Sequence, residues 1–375
     1  MKIFKKANVF DEALERIRFI FDEFENVIVN HSGGKDSVIV YNLALQVARE
    51  KDRLPLKVMF IDQEAEFNQT IEVIRKVMYH PEVEPLWLQV PIKLFNATSF
   101  EHSWLECWSD SDEEEWLRPK DPISIKENTF GTDRFAKLFI GYADTVYRGR
   151  DLAYIAGVRC EESPARFKGL TTYPTYKWVT WGKKLSQEKH KTFYPIYDWS
   201  YTDVWAAIHR NGWDYNKIYD IQYQHGVKIQ NMRVSNLHHE TAVHALFYLQ
   251  EVDVELYNRL TKRLQGVSSA TKFNDDFFVH KLPYMFRDWQ EYRDYLLDKL
   301  VTDPEAKASF RKIFDQHEAY PLFGKDQDMT VKVLKGHVNA ILANDWTGTK
   351  LANLRNMFSG PNNRKRQPTK EKRRS

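Results

Sequence analysis

The sequence predicts an α/β fold, a doubly wound parallel sheet followed by a mostly helical C-terminal domain. Three observations predict it. Up to about Val158, short apolar runs rich in β-branched residues alternate with stretches of helical periodicity. The first of those runs breaks at His31-Ser32-Gly33-Gly34 and is followed at once by a helical pattern. From about Arg233 onward the apolar spacing is helical and no clear strand pattern returns.

In chain order, Phe10, Leu14, Ile17, Phe21 and Phe24 fall at helical spacing within residues 8–25, an amphipathic helix. Asn26-Val27-Ile28-Val29-Asn30 reads as a buried strand. Val38 to Arg49 reads as a helix with Val38, Tyr41, Leu45 and Ala48 on its apolar side. A second strand covers Leu56–Ile61 and ends at Asp62, a helix covers Asn68–Met78, and a third strand covers Pro85–Val90. Residues 92–150 are less regular, and Ser109–Glu115 reads as a solvated acidic loop. Tyr154–Val158 is a fourth strand, and the aromatic segment Phe193–Tyr219 ends the α/β pattern. The domains expected are an N-terminal helix (1–25), a nucleotide-binding domain (26–232), a helical domain (233–360) and a disordered basic tail (361–375).

Composition narrows the function classes. The formal net charge is +3, but Arg364–Ser375 holds seven Lys or Arg and one Glu, a net of +6 that leaves −3 for the preceding chain. The body is therefore not expected to bind nucleic acid generally, whereas the tail is a candidate for it, against the plainer reading of a solvated tail. Two cysteines, Cys107 and Cys160, cannot build a disulfide framework, which fits a reducing compartment. No stretch approaches the length of a membrane span and no leader pattern opens the chain, so the expected location is cytoplasmic, away from membranes.

The segment most informative for chemistry is Ser32-Gly33-Gly34-Lys35-Asp36-Ser37, between a buried strand and a helix. Glycines let the backbone turn sharply and approach a ligand, while the unpaired first amides of the helix and its dipole favour an anion. Ser32 and Ser37 add hydroxyls and Lys35 adds a charge. The spacing is neither that of a Walker A loop nor that of a Rossmann fingerprint. A plain Gly-Gly turn beside a solvated lysine is the structural alternative, and the strand–turn–helix context weighs against it.

This segment resembles the pyrophosphate loop of the adenine nucleotide alpha-hydrolase superfamily, which includes N-type ATP pyrophosphatases, ATP sulfurylase small subunits and phosphoadenosine phosphosulfate (PAPS) reductases. Three further segments are similar to PAPS-reductase segments. They are Phe60-Ile61-Asp62-Gln63-Glu64-Ala65-Glu66-Phe67-Asn68-Gln69-Thr70, then Gly157-Val158-Arg159-Cys160-Glu161-Glu162-Ser163-Pro164-Ala165-Arg166, then Pro195–Trp205. Together with the loop they span residues 26–220 in order. The resemblance implies an adenine nucleotide, ATP or PAPS, with Mg²⁺ assisting. Ser32, Gly33, Gly34, Lys35, Asp36 and Ser37 would meet the phosphates and the metal. Asp62 and Glu66 would line the nucleotide or the metal, and Arg159 and Arg166 would meet the phosphate or the acceptor. Lys35, Asp36, Arg159 and Arg166 would be the catalytic set, with Asp36 and Asp62 the metal ligands. The reaction implied is attack on ATP at the α-phosphate with release of pyrophosphate. The alternatives are sulfuryl transfer from PAPS, or a nucleotide-sensing regulator that reaches DNA through its basic tail.

No cysteine follows Cys160, so the C-terminal cysteine that PAPS reductases use has no counterpart in this sequence, and two cysteines cannot ligate an iron–sulfur cluster. The helical region after residue 233 resembles the large PAPS-reductase-like proteins typified by immunoglobulin-binding regulator A, which implies a ParB-like protein as a possible partner; the acceptor substrate stays open. Two features invite other readings. His239 and His244 are five apart, which turns them away from one another on a helix, so His238–His244 reads as ordinary histidines rather than a zinc motif. Cys160 follows Arg159, whose charge would favour a thiolate, but a small buried residue is the plainer reading.

Overall fold

The computed structural model of the chain describes residues 6–95, 104–172, 175–185, 189–229, 232–234, 236–237, 249, 253–263, 282–342, 344–348 and 351. The basic tail and His238–His244 lie outside the described residues. The chain divides into two compact units. One takes in Met1–Leu94, Glu106–Leu237 and Tyr248–Arg263, and the other takes in Phe95–Leu105, His238–Phe247 and Leu264–Ser375.

The first unit is built on a six-stranded sheet. Its strands are β1 (Val27–Asn30), β2 (Leu56–Ile61), β3 (Val83–Leu88), β6 (Leu152–Ile155), β7 (Gly182–Lys184) and β8 (His190–Phe193). Two short strands between β3 and β6, β4 (Ile92–Phe95) and β5 (Trp104–Cys107), lie outside it. The order across the sheet is β3-β2-β1-β6-β8-β7, with every neighbouring pair parallel except the antiparallel edge pair β7 and β8. The expected all-parallel sheet is thus mostly parallel, with one antiparallel edge strand of three residues, as large α/β sheets often carry. Its central strands are apolar and β-branched because both faces are covered; Ile28, Val29, Val58 and Ile155 are all buried.

Helix α1 (Val9–Glu23) starts where Asn8 accepts a hydrogen bond from the Asp11 amide and buries Ala13, Leu14, Ile17 and Ile20. Helix α2 (Lys35–Glu50) starts at Lys35, three residues before the expected Val38, because Gly34 already serves as its N-cap. Helix α3 (Asn68–Met78) has the expected bounds. Helices α4 (Phe135–Val146), α5 (Pro164–Thr171), α6 (Tyr201–Asn211), α7 (Ile218–Gln224) and α8 (Val254–Arg263) complete the unit. The fourth strand ends at Ile155 rather than Val158, leaving Ala156–Val158 as a coil leading to the next loop. Asp110–Glu115 is a 3-10 turn with no buried residue, solvated as expected, from which Asp112 and Glu115 reach Arg263.

In the second unit the described helices are α9 (Trp289–Lys299), α10 (Pro304–Glu318) and α11 (Gln327–Leu342). They bury Phe310, Phe314, Val338 and Ile341. Within that core His317 Nδ1 lies 2.9 Å from His337 Nε2, and burial pushes the His337 pKa down to about 2.

Candidate functional site

Chain direction across the sheet sets the site. From β1 the chain works outward through β2 to β3, then returns to the other side of β1 for β6 and β8. The order therefore reverses between β1 and β6, and the carboxyl ends of two such strands border the crevice in which doubly wound folds take ligands. The loop Ser32–Ser37 leaves β1 there, and Arg159 follows β6.

Backbone sterics explain the glycines. Gly33 has φ +73°, and a Cβ on it would stand 2.6 Å from the Thr70 Cγ2. Gly157 lies so close under α2 that a Cβ would stand 2.7 Å from the Asp36 carbonyl carbon and oxygen. This close approach lets the coil after β6 carry Arg159 to the loop. The Arg159 Nε donates to Asp36 Oδ1 at 2.5 Å, and its NH1 donates to Glu161 Oε2 at 3.2 Å. Both the Arg159 and Asp36 side chains are largely shielded from water, which strengthens their attraction.

Lys35 is drawn inward. Its Nζ is 3.3 Å from Asp36 Oδ2, donates to the Met232 carbonyl at 3.3 Å and lies 5.1 Å from the centre of the Tyr219 ring. Its backbone N–H, the first of α2, donates to the Tyr219 hydroxyl at 3.1 Å. Ser37 Oγ donates to the Gly34 carbonyl at 2.7 Å, while Ser32 is exposed. The Asn216 amide holds the turn from below, donating to the Gly33 carbonyl at 3.1 Å and to Thr70 Oγ1 at 2.9 Å. His31 Nδ1 accepts the Gly33 N–H at 3.1 Å, and burial pushes its pKa down to about 3, so this imidazole is neutral at ordinary pH.

Asp62 and Glu66 stand at the end of β2, apart from this cluster. Asp62 is fully buried and accepts from Trp87 Nε1 and Gln89 Nε2 at 3.0 Å each, from the Glu64 amide at 2.9 Å, and from the Arg118 guanidinium. The pKa of Glu66 is pushed up to about 7, first by burial and then by the negative charge of Asp62, and the Glu66 Oε1 accepts from Asn236 Nδ2 at 3.2 Å. Between them Glu64 has φ +65°, is fully buried and meets Arg263 Nε at 3.1 Å. Arg166 is also apart: it lies exposed on α5 and pairs with Glu162 one turn earlier.

The structure thus brings the loop residues and Arg159 together and holds Asp62, Glu66 and Arg166 outside that cluster. Among the described residues no three His, Cys, Asp or Glu side chains gather in a way that could hold a metal ion. Sequence reading missed Tyr219, Asn216, Arg118, Glu64 and Arg263. Gln89, also missed, had a usable signal, a polar amide within the apolar run expected as the strand Pro85–Val90. Tyr219 lay inside an aromatic segment in which nothing distinguishes one tyrosine from the next.

A model of the phosphoadenosine phosphosulfate reductase domain matches residues 26–225. The chain belongs to that family. The match covers the sheet from β1 to β8, the loop and the Arg159 segment, and ends just beyond α7. Among relatives of this PAPS reductase-domain protein, YbdN of Escherichia coli (strain K12), itself uncharacterized, is 26% identical over 328 residues, covering 82% of this chain and 79% of its own. The adenosine 5'-phosphosulfate reductase of Anoxybacillus flavithermus is 22% identical over 213 residues, 56% of this chain and 75% of its own. Sulfate adenylyltransferase subunit 2 of Mycobacterium bovis is 42% identical over 60 residues, 16% of this chain and 19% of its own. The named relatives other than YbdN are enzymes of adenine nucleotides and sulfate. No helix among the described residues is long and apolar enough to cross a membrane.

Proposed function

We propose that this chain is an enzyme that binds an adenine nucleotide with its phosphates on Ser32–Ser37 and reacts it at the α-phosphate. The observation that carries the reading is the Asp36–Arg159 pair at 2.5 Å, which ties the loop after β1 to the loop after β6 at the reversal point of the sheet. The oxygen of an acceptor attacks the α-phosphorus, the bond to the bridging oxygen of the β-phosphate breaks, and pyrophosphate leaves. Chemistry of this kind is mostly positioning and charge stabilisation. Lys35 turns from the Met232 carbonyl to a phosphate oxygen, amides at the start of α2 and the exposed Ser32 hydroxyl add hydrogen bonds, and Arg159 faces the charge that develops on the phosphorus oxygens. The sulfate adenylyltransferase likeness supports attack at the α-phosphate.

When bound, magnesium would neutralise the phosphate chain, and it would arrive on the nucleotide. Asp36 is the loop carboxylate that fits this role. Asp62 does not fit, since N–H groups of the protein already occupy its oxygens. Arg166 lies exposed on α5, where an acceptor could reach it, whereas Glu66 is buried and has no such access. Because no cysteine in the sequence follows Cys160, the proposed chemistry uses no C-terminal thiol.

Incubating the full chain with ATP and, separately, with PAPS, and identifying products by mass spectrometry tests the reading. Pyrophosphate from ATP supports it. Turnover of PAPS alone would replace it with sulfuryl transfer, and binding without consumption of either would favour the regulator. Lys35→Ala should lower turnover by about 100-fold or more. Because Lys35 is buried against Asp36 and Tyr219, the melting temperature of the variant is measured alongside to separate lost chemistry from lost stability. Wild-type-like turnover would remove the loop from the site.

A further inference from the structure

The loop holds a polar group whose position no local pattern explains. Gly34, the N-cap of α2, has no side chain to accept a hydrogen bond, so the Lys35 amide is one of the orphan donors that a helix start leaves. Its acceptor comes from 184 positions away, the Tyr219 hydroxyl at 3.1 Å. The tyrosine is buried and wedged, with Trp205 edge-on at 5.4 Å and the Lys35 ammonium over its face. Asn216, three residues earlier, anchors the same turn by donating to the Gly33 carbonyl and by accepting the Ile218 amide at 3.0 Å.

The two contacts differ in kind. Asn216 engages a carbonyl, which a phosphate cannot use. Tyr219 engages an amide at the start of a helix, which is what a phosphate oxygen would take. We propose that the Tyr219 hydroxyl is the resident occupant of the loop's anion seat, and that a ligand phosphate binds by displacing it. The tyrosine then sets the threshold for phosphate entry: a neutral oxygen holds the seat, and only a charged one, favoured by the helix dipole, takes it over. This rests on the reading that the loop holds phosphates.

Tyr219→Phe keeps the ring and removes the oxygen. Calorimetric titration of the full chain with inorganic pyrophosphate should show binding roughly 2- to 10-fold tighter in Y219F, the factor that one net hydrogen bond corresponds to. Titration with adenosine should be unchanged. The free variant should melt lower than wild type and gain more from saturating pyrophosphate. Unchanged affinity would overturn the proposal by making the hydroxyl a fixed cap; weaker affinity would overturn it by making the hydroxyl a donor to the ligand. Hydrogen exchange on the wild type gives a test that needs no variant. Pyrophosphate should speed exchange in residues 216–224, and slower or unchanged exchange there would count against displacement. If wild type binds neither pyrophosphate nor ATP, the loop reading falls and this proposal with it. Binding in wild type with equal or weaker binding in Y219F removes the proposal alone.

Discussion

Two aspartates stand at the carboxyl edge of one sheet and are held in opposite ways. Asp62, after β2, is sealed from water and surrounded by one guanidinium, an indole, an amide side chain and a backbone amide. Asp36, on the loop after β1, meets only the side-chain cations Lys35 and Arg159 and keeps some exposure. Asp62 is met by one cation and by three uncharged donors, whereas Asp36 is met by two cations, which a bound anion could share. An acid held mostly by neutral donors stabilises a fold; an acid balanced by cations can release them to a ligand. Proximity to the ligand edge is thus a poor guide to role, and the chemistry of the partners is a better one.

The contrast breaks most visibly at Asp62. Asp62→Asn keeps the shape and removes the charge, leaving the partly buried Arg118 without its counter-ion, and should cost about 2–4 kcal/mol of stability, somewhat less than for a fully buried pair. Denaturant titration measures it. If the loss is under about 1 kcal/mol while nucleotide binding collapses, Asp62 belongs with Asp36 and the comparison is wrong.

Gly157→Ala sharpens the other side. The added methyl would meet the Asp36 backbone at 2.7 Å. The resulting overpacking should cost about 1–3 kcal/mol, with nucleotide affinity falling as the loop shifts away from Arg159. Unchanged stability and affinity would show that the two loops do not depend on this approach.

A test of a different kind, in pH rather than packing, concerns Glu66. Its folded pKa is raised to about 7, above the ordinary glutamate value. The protonated form is therefore favoured in the folded state. Its contribution is complete below the unfolded pKa of about 4.3 and is lost as pH rises through about 7. Glu66→Gln retains an acceptor for Asn236 and cannot ionise, so it should flatten the decline in stability across that window and be at least as stable as wild type at pH 8. Melting temperatures at a series of pH values decide this; a variant that declines as steeply as wild type would show that Glu66 is not the group responsible.

The sequence revealed what periodicity and local turn chemistry encode. Helix α3 and strand β2 have the expected bounds, and the loop stands where its glycines indicated. It did not reveal β7 and β8, because β7 has three residues and β8, His190–Phe193, places His190 and Lys191 at buried positions, against the usual composition of a strand interior. Helix α4, which buries Leu138, Tyr142 and Ala143 on one face, was not picked out from the irregular stretch 92–150, where Gly141 interrupts its apolar run. The place of Arg159 at the carboxyl edge followed from where strands of such a sheet end, but its pairing with Asp36 did not. The Tyr219–Lys35 contact joins residues 184 positions apart through a turn of irregular chain, and no local rule carries that information. Arg166 was expected beside Arg159, but a glutamate one turn back claims it.

Arg263 has a consequence for anyone who divides this chain. It is the last residue of α8, nearly 40 positions beyond the end of the matched domain, yet its guanidinium enters the sheet unit to meet Glu64, Asp112 and the Glu106 carbonyl. A fragment cut at the end of the sequence match would leave Glu64 buried, its charge unanswered and its backbone in a left-handed turn. A piece that keeps the counter-ion of Glu64 runs at least to Arg263. The sheet unit of this protein is therefore longer than its family match, which ends at residue 225.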